Sequence, residues 1–92
     1  MTLSSRVTVP AAVLVRDLGD EAVVLHTGTG RYYGLDEVGA RMWTSLASAG
    51  LLSDAYRTLH TTYNVAPDEL ERDLLAFVRQ LVDHELLVVD EA

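Results

Sequence analysis

Apolar residues fall in short runs over the first third of the chain and at helical spacing over the rest. Val13 to Arg16 and Glu21 to His26 are short Val- and Leu-rich runs. Asp17-Leu18-Gly19-Asp20 lies between them and predicts a hairpin turn. Thr27-Gly28-Thr29-Gly30 predicts a second turn, and Arg31 to Leu35 a third short strand. The three runs together predict an antiparallel meander. Val7 and Val9 alternate before Pro10, so the first strand either starts earlier or is interrupted there.

Asp36 is a good N-cap for a first helix, and Glu37 then sits where the helix dipole favours an anion. Leu35, Val38, Met42 and Leu46 recur at helical spacing, and Gly50 is a plausible stop. A second helix is predicted from about Leu52 to Tyr63, with Leu52, Ala55, Tyr56, Leu59 and Tyr63 on one side. Asn64-Val65-Ala66-Pro67 breaks it. A third begins with Pro67 near its first position and Asp68 and Glu69 in its first turn, and ends near Glu85. Leu86 to Val89 is an apolar tail, read as a short strand or a docked arm. The fold class is therefore α+β: a three-stranded antiparallel meander followed by three helices, with the element lengths of a winged helix-turn-helix.

Ninety-two residues, 49% of them apolar, are expected to make one domain, 1–92, with a core over about 12–89. There is no cysteine, which removes disulfides, thiolate nucleophiles and cysteine metal sites. No run approaches the roughly 18 apolar residues that span a bilayer, and no signal-peptide pattern opens the chain. A soluble, cytoplasmic monomer is the expectation, with no membrane partner.

The net charge of −7 is uneven. Residues 1–35 sum to zero, with Arg6, Arg16 and Arg31 against Asp17, Asp20 and Glu21, so the whole −7 lies in residues 36–92. An acidic helical half repels phosphate backbones and anionic membranes, and tolerates or attracts a basic segment. Equally, it is what a solvated surface looks like. All seven basic residues are Arg, which excludes a Schiff-base or P-loop lysine.

Catalytic chemistry has little support. His26, His60 and His84 are far apart and none has a second ligand at metal-site spacing. No serine sits in a nucleophile-elbow pattern. Thr27 to Gly30 lacks the spacing of a phosphate cradle. No cofactor and no metal are implied.

The strand run Arg31-Tyr32-Tyr33-Gly34-Leu35, the helix carrying Gly39-Ala40-Arg41-Met42-Trp43, and Leu70-Glu71-Arg72-Asp73-Leu74-Leu75-Ala76-Phe77 followed by Leu81 resemble the PqqD-like domains, the RiPP recognition elements. Tyr63-Asn64-Val65 before Pro67 fits the family's spacing between its second and third helices. The resemblance spans roughly residues 12–89. One departure is visible: Glu85 stands where relatives often place a glycine, and a left-handed C-cap there is more costly for Glu than for Gly.

The resemblance implies a binding module and no enzyme. It implies that the leader of a ribosomally made precursor adds as a strand to the outer edge of the third strand, in a groove beside the third helix. Backbone hydrogen bonds then supply affinity and alternate side chains supply specificity. Arg31, Tyr32, Tyr33, Gly34 and Leu35 become the docking strand, and Leu70, Asp73, Leu74 and Phe77 the helical contribution. The short stand-alone length is similar to discrete recognition proteins of lasso-peptide pathways, with a leader peptidase and other maturation enzymes as partners. The alternative within the family is a pyrroloquinoline quinone-type peptide chaperone serving a radical SAM enzyme.

Phe77, Leu70, Leu81, Leu74, Val78, Val82 and Leu75 cover an arc of roughly 160°, wider than the about 100° that a core stripe needs. The excess is either more core or one wall of a groove. Asp73, on the flank beside Phe77, either meets a basic or N–H group of a peptide or pairs with a nearby Arg. Tyr32 and Tyr33 point to opposite faces of their strand, one into the core and one free. Trp43 reads as core. Gly34 either admits a partner backbone or relieves the strand-to-helix turn. A winged-helix DNA-binding protein is the competing class. Residues 66–85 sum to −4, the wrong sign for a helix in a major groove, so no nucleic-acid partner is expected.

Overall fold

The computed structural model describes residues 1–90. Its elements run β1 (Arg6–Thr8), β2 (Val13–Asp17), β3 (Ala22–His26), β4 (Arg31–Leu35), α1 (Glu37–Ala49), α2 (Leu52–Thr62), α3 (Pro67–Asp83) and β5 (Val88–Asp90). Strands β2, β3 and β4 form the antiparallel meander, in that order. The fold class is α+β, as the hydrophobic pattern predicts.

A second, two-stranded sheet accompanies the meander. β1 pairs antiparallel with β5, Val7 opposite Val89. Val7 therefore belongs to a separate strand that closes on the chain's far end, and Val9 and Pro10 lie between that strand and β2. The apolar tail after α3 docks: Leu86 and Leu87 are buried, and Val88–Asp90 supplies the strand.

Each helix boundary has a local cause. Asp36 accepts a hydrogen bond from the Gly39 amide at 2.8 Å, satisfying a donor that the first turn of α1 leaves unpaired. Gly50 ends α1 with a φ of 75°, a left-handed conformation that glycine adopts without strain, and its N–H returns to the Leu46 carbonyl. Pro67 opens α3, where its missing N–H is no loss.

The end of α3 is built on a left-handed residue that is not glycine. Glu85 has a φ of 61°, the one left-handed residue other than glycine among those described. Its N–H bonds the Val82 carbonyl at 3.0 Å, and the Leu86 N–H bonds the Leu81 carbonyl at 2.8 Å. These two bonds, with Leu81 and Leu86 both buried, make a Schellman motif built on Glu. The helix ends on this motif, with the strain of the left-handed conformation held at Glu85.

The core lies between the inner face of the meander and the helices. Val13 and Val24 from the sheet meet Met42, Trp43 and Leu46 from α1, Leu52, Ala55 and Leu59 from α2, and Leu70, Leu74, Val78 and Leu81 from α3. Trp43 is core, as expected. Val38 shares the helical period of Met42 and Leu46 but is 47% exposed. It sits in the first turn of α1, at the rim of the sheet, where no element of the chain covers it.

Candidate peptide-binding site

The register of the meander decides which backbone groups are free. The Thr27 N–H bonds the Ala12 carbonyl, and the Leu18 N–H bonds the Glu21 carbonyl. Bonded pairs alternate along an antiparallel ladder. Val23 and Leu25 therefore direct their backbone groups to β2, while Ala22, Val24 and His26 direct theirs to β4. Their partners on β4 are Leu35, Tyr33 and Arg31. Tyr32 and Gly34 consequently present their N–H and C=O groups outward, on the open edge of the sheet.

The same register separates the two tyrosines. Tyr33 lies opposite the fully buried Val24, so its ring is on the helix side. It packs against the core and meets the His84 ring, centroids 4.6 Å apart, tying β4 to the end of α3. Tyr32 lies opposite Leu25 on the other face and is 73% exposed. Gly34 has no left-handed φ, and a Cβ built there meets nothing within 4 Å. The turn does not require glycine at this position, and the space beside it is open.

Beside this edge lies a groove of about 550 Å³. Gly34 and Leu35 form its strand side, Val38 and Met42 its α1 side, and Asp73, Ala76, Phe77 and Gln80 its α3 side. The α3 residues recur at i, i+3, i+4 and i+7, one face of the helix. Val38 is exposed because it lines this groove. Among the described residues, Asp73 makes no ion pair with an arginine, whereas Arg41 pairs with Glu37 and Arg57 with Asp54. Its carboxylate is therefore available at the groove wall.

The arrangement divides the predicted site residues. Gly34, Leu35, Asp73 and Phe77 come together around the groove. Arg31, Tyr32 and Tyr33 lie on the same strand, with only Tyr33 on the helix side. Leu70 and Leu74 do not join them: they are 3% and 0% exposed, in the core. The broad apolar arc of α3 is thus split. Leu70, Leu74, Val78 and Leu81 face the core, and Phe77 marks the flank that turns to the groove. Val38, Met42, Ala76 and Gln80 were not among the expected lining residues. Their signal was the i+3 and i+7 spacing from Asp73 and the i+4 step from Val38 to Met42.

The opposite edge of the sheet, β2, also borders a hollow, of about 450 Å³ against α1 and α2. Its lining mixes apolar Val15, Ala40 and Trp43 with Asp17, Asp20, Thr44 and Ser48. The β4 edge combines free backbone groups with apolar walls, the combination that strand addition uses.

The family model for coenzyme PQQ synthesis protein D, PqqD, matches residues 21–87. The chain belongs to the PqqD family. The matched span runs from β3 through α3 to the buried Leu86–Leu87 pair and contains the whole groove. Among solved structures, "TbiB1 in Complex with the TbiA(beta) Leader Peptide" is similar at 38% identity and a TM-score of 0.82, covering 86% of this chain and 92% of that one. A second, "Lasso peptide synthetase B1 complexed with the leader peptide", superposes with a TM-score of 0.80 over 90% of this chain and 98% of that one. At 22% identity, this second likeness is one of fold. No curated protein sequence matches the chain significantly. No helix among the described residues is long and apolar enough to cross a membrane, and they contain no cluster of His, Cys, Asp or Glu suited to a metal ion.

Proposed function

We propose that this PqqD-family chain binds the leader of a ribosomally made precursor peptide and presents it to the enzymes that mature it, without catalysing a step itself. The observation that carries this reading is the open β4 edge beside an apolar groove, in a chain 38% identical to TbiB1, which was solved with a leader peptide. The leader adds antiparallel or parallel to β4 through the outward N–H and C=O groups of Tyr32 and Gly34. Its alternate side chains enter the groove between Leu35, Val38 and Met42 on one side and Phe77 on the other. Asp73 receives a basic or N–H group of the peptide, in keeping with the chain's charge of −7.

The lasso-peptide setting is favoured over a pyrroloquinoline quinone-type chaperone by that 38% identity over most of both chains. A leader peptidase is then the expected partner enzyme. The test is fluorescence anisotropy of a labelled leader from the precursor gene beside this one, titrated with the protein. Saturable binding near 1 µM or tighter, about −8 kcal/mol, supports the reading. A flat titration to tens of micromolar rejects stand-alone recognition.

A further inference from the structure

The meander is open at β2 as well as at β4. The register that turns Leu14 and Arg16 toward β3 directs the backbone groups of Val13, Val15 and Asp17 outward. The Val13 N–H donates to the Pro10 carbonyl at 3.0 Å, so the edge offers the Val13 carbonyl and both backbone groups of Val15 and Asp17. Edge strands are ordinarily blunted by lysine, by proline or by an inward charge. From Val13 to Val15 this edge carries none of them. Its charges, Arg16 and Asp17, stand at one end, and the Asp17 carboxylate accepts the Gly19 N–H at 2.9 Å within the turn. Apolar side chains are exposed along it instead: Leu14 and Leu18 at 55% and Val15 at 43%. Val15 lies opposite the fully buried Val24 and so stands on the helix side, yet the hollow between β2, α1 and α2 leaves it uncovered. Ala40 and Trp43 line that hollow with it.

We propose that this edge pairs with the same edge of a second copy, so that two chains share one continuous antiparallel sheet about a two-fold axis at Val15. The strand is self-complementary in that register. Each Val15 amide donates to the Val15 carbonyl of the other copy, and each Asp17 amide donates to the open Val13 carbonyl. Neighbouring registers fail for stated reasons. An axis at Arg16 sets the two guanidinium groups directly opposite each other, a like-charge pair that destabilises a sheet. An axis at Leu14 calls on the Val13 amides, which Pro10 already holds. The axis at Val15 sets Arg16 opposite Leu14 instead. It also places the two Val15 side chains together on the helix side, where each covers the other at the mouth of the hollow. Such a contact is isologous, the commonest kind in homo-oligomers. The paired edges cover roughly a few hundred Å² per copy, short of the roughly 800 Å² per partner in a stable interface. Each copy also carries a charge of −7. The dimer is therefore weak, forms at high concentration and gains from salt that screens the repulsion. The expected monomer is its dilute form. Both β4 edges stay free, at the two ends of the joined sheet.

The test uses the full chain, which has no cysteine, so single-cysteine variants report without background. The register puts the two Val15 Cα atoms about 5.5 Å apart, within the range that a disulfide bridges. Leu18, equally exposed but far from the axis, is the control for chance collision. Under mild oxidation Val15→Cys should form a covalent dimer about tenfold faster than Leu18→Cys, since only the first pair meets the geometry of the bond. Sedimentation equilibrium of the parent should show the mass rising toward two chains as protein approaches about 1 mM, and more readily at about 1 M salt, where the Debye length is about 3 Å. Val15→Lys, a charge on the open edge, should stay monomeric at every concentration. Its leader affinity by anisotropy should stay within about twofold of the parent, because β4 lies two strands, about 10 Å, away. Equal rates for the two cysteine variants overturn the inference. So does a parent that keeps the mass of one chain throughout, or a dimer that survives Val15→Lys. None of these readings depends on leader binding, so failure of the proposed function leaves the dimer standing, and the reverse.

Discussion

Replacing Glu85 by glycine should stabilise the protein, and the amount follows from the end of α3. Glu85 holds a φ of 61°. A left-handed conformation costs an L-residue about 1–2 kcal/mol, and glycine escapes it. Glycine also enlarges the unfolded ensemble, which takes back about 0.4–1 kcal/mol. A further term is electrostatic. The last turn of α3 carries no basic residue, so Glu85 places an anion at the negative end of the helix dipole, where its removal is worth about 0.3–1 kcal/mol. The net expectation is a gain of about 1 kcal/mol, or roughly 4–8 °C in Tm for a domain of this size. The single tryptophan, Trp43, is buried, so its fluorescence during urea unfolding reports the transition directly. Glu85→Gln is the control, since it removes the charge and keeps the strained backbone; it should gain only a few tenths of a kcal/mol. If Glu85→Gly is no more stable than Glu85→Gln, the strain assigned to this cap does not exist.

Three more outcomes are expected. Gly34→Pro removes an outward N–H from the β4 edge, so leader affinity should fall by about 1–3 kcal/mol, some 5- to 150-fold, with the fold retained; Tyr33→Pro breaks a ladder bond to Val24 and the contact with His84, and should lower stability by about 3 kcal/mol or more in the same urea assay. Phe77→Ala should weaken leader binding in anisotropy with a modest change in Tm, whereas Leu74→Ala, at a fully buried site, should lower stability by about 2–5 kcal/mol. Asp36→Ala should lower stability by about 1 kcal/mol through loss of the α1 cap, measured by thermal unfolding.

The parts of the fold legible in the sequence are those set by local chemistry. Asp36 caps α1, Gly50 stops it and Pro67 opens α3 because each answers a backbone requirement within one turn of itself. The meander was legible for the same reason, as two turn-rich segments separate three runs of strand-forming residues. The β1–β5 sheet was not: each strand is three residues long, and its partner lies at the other end of the chain. No periodicity in Arg6–Thr8 points to Val88–Asp90.

The candidate site was half legible. The strand Arg31–Leu35 could be named, but the roles of Tyr32 and Tyr33 depend on pairing register, which turns on where β3 bonds to β2. The apolar arc of α3 showed that the helix was wider than a core stripe. It did not show where the core ended, so Leu70 and Leu74 were grouped with Phe77. Val38 illustrates the converse. Its helical spacing matched the core residues of α1, yet the sheet stops short of it and leaves it in the groove.

The central claim is strand addition at β4, and amide hydrogen exchange followed by NMR tests it residue by residue. With saturating leader, the Tyr32 and Gly34 amides should slow sharply, while those of Arg31, Tyr33 and Leu35, already directed at β3, change little. Leader binding that leaves Tyr32 and Gly34 exchanging as in the free protein, with protection appearing elsewhere, would contradict it.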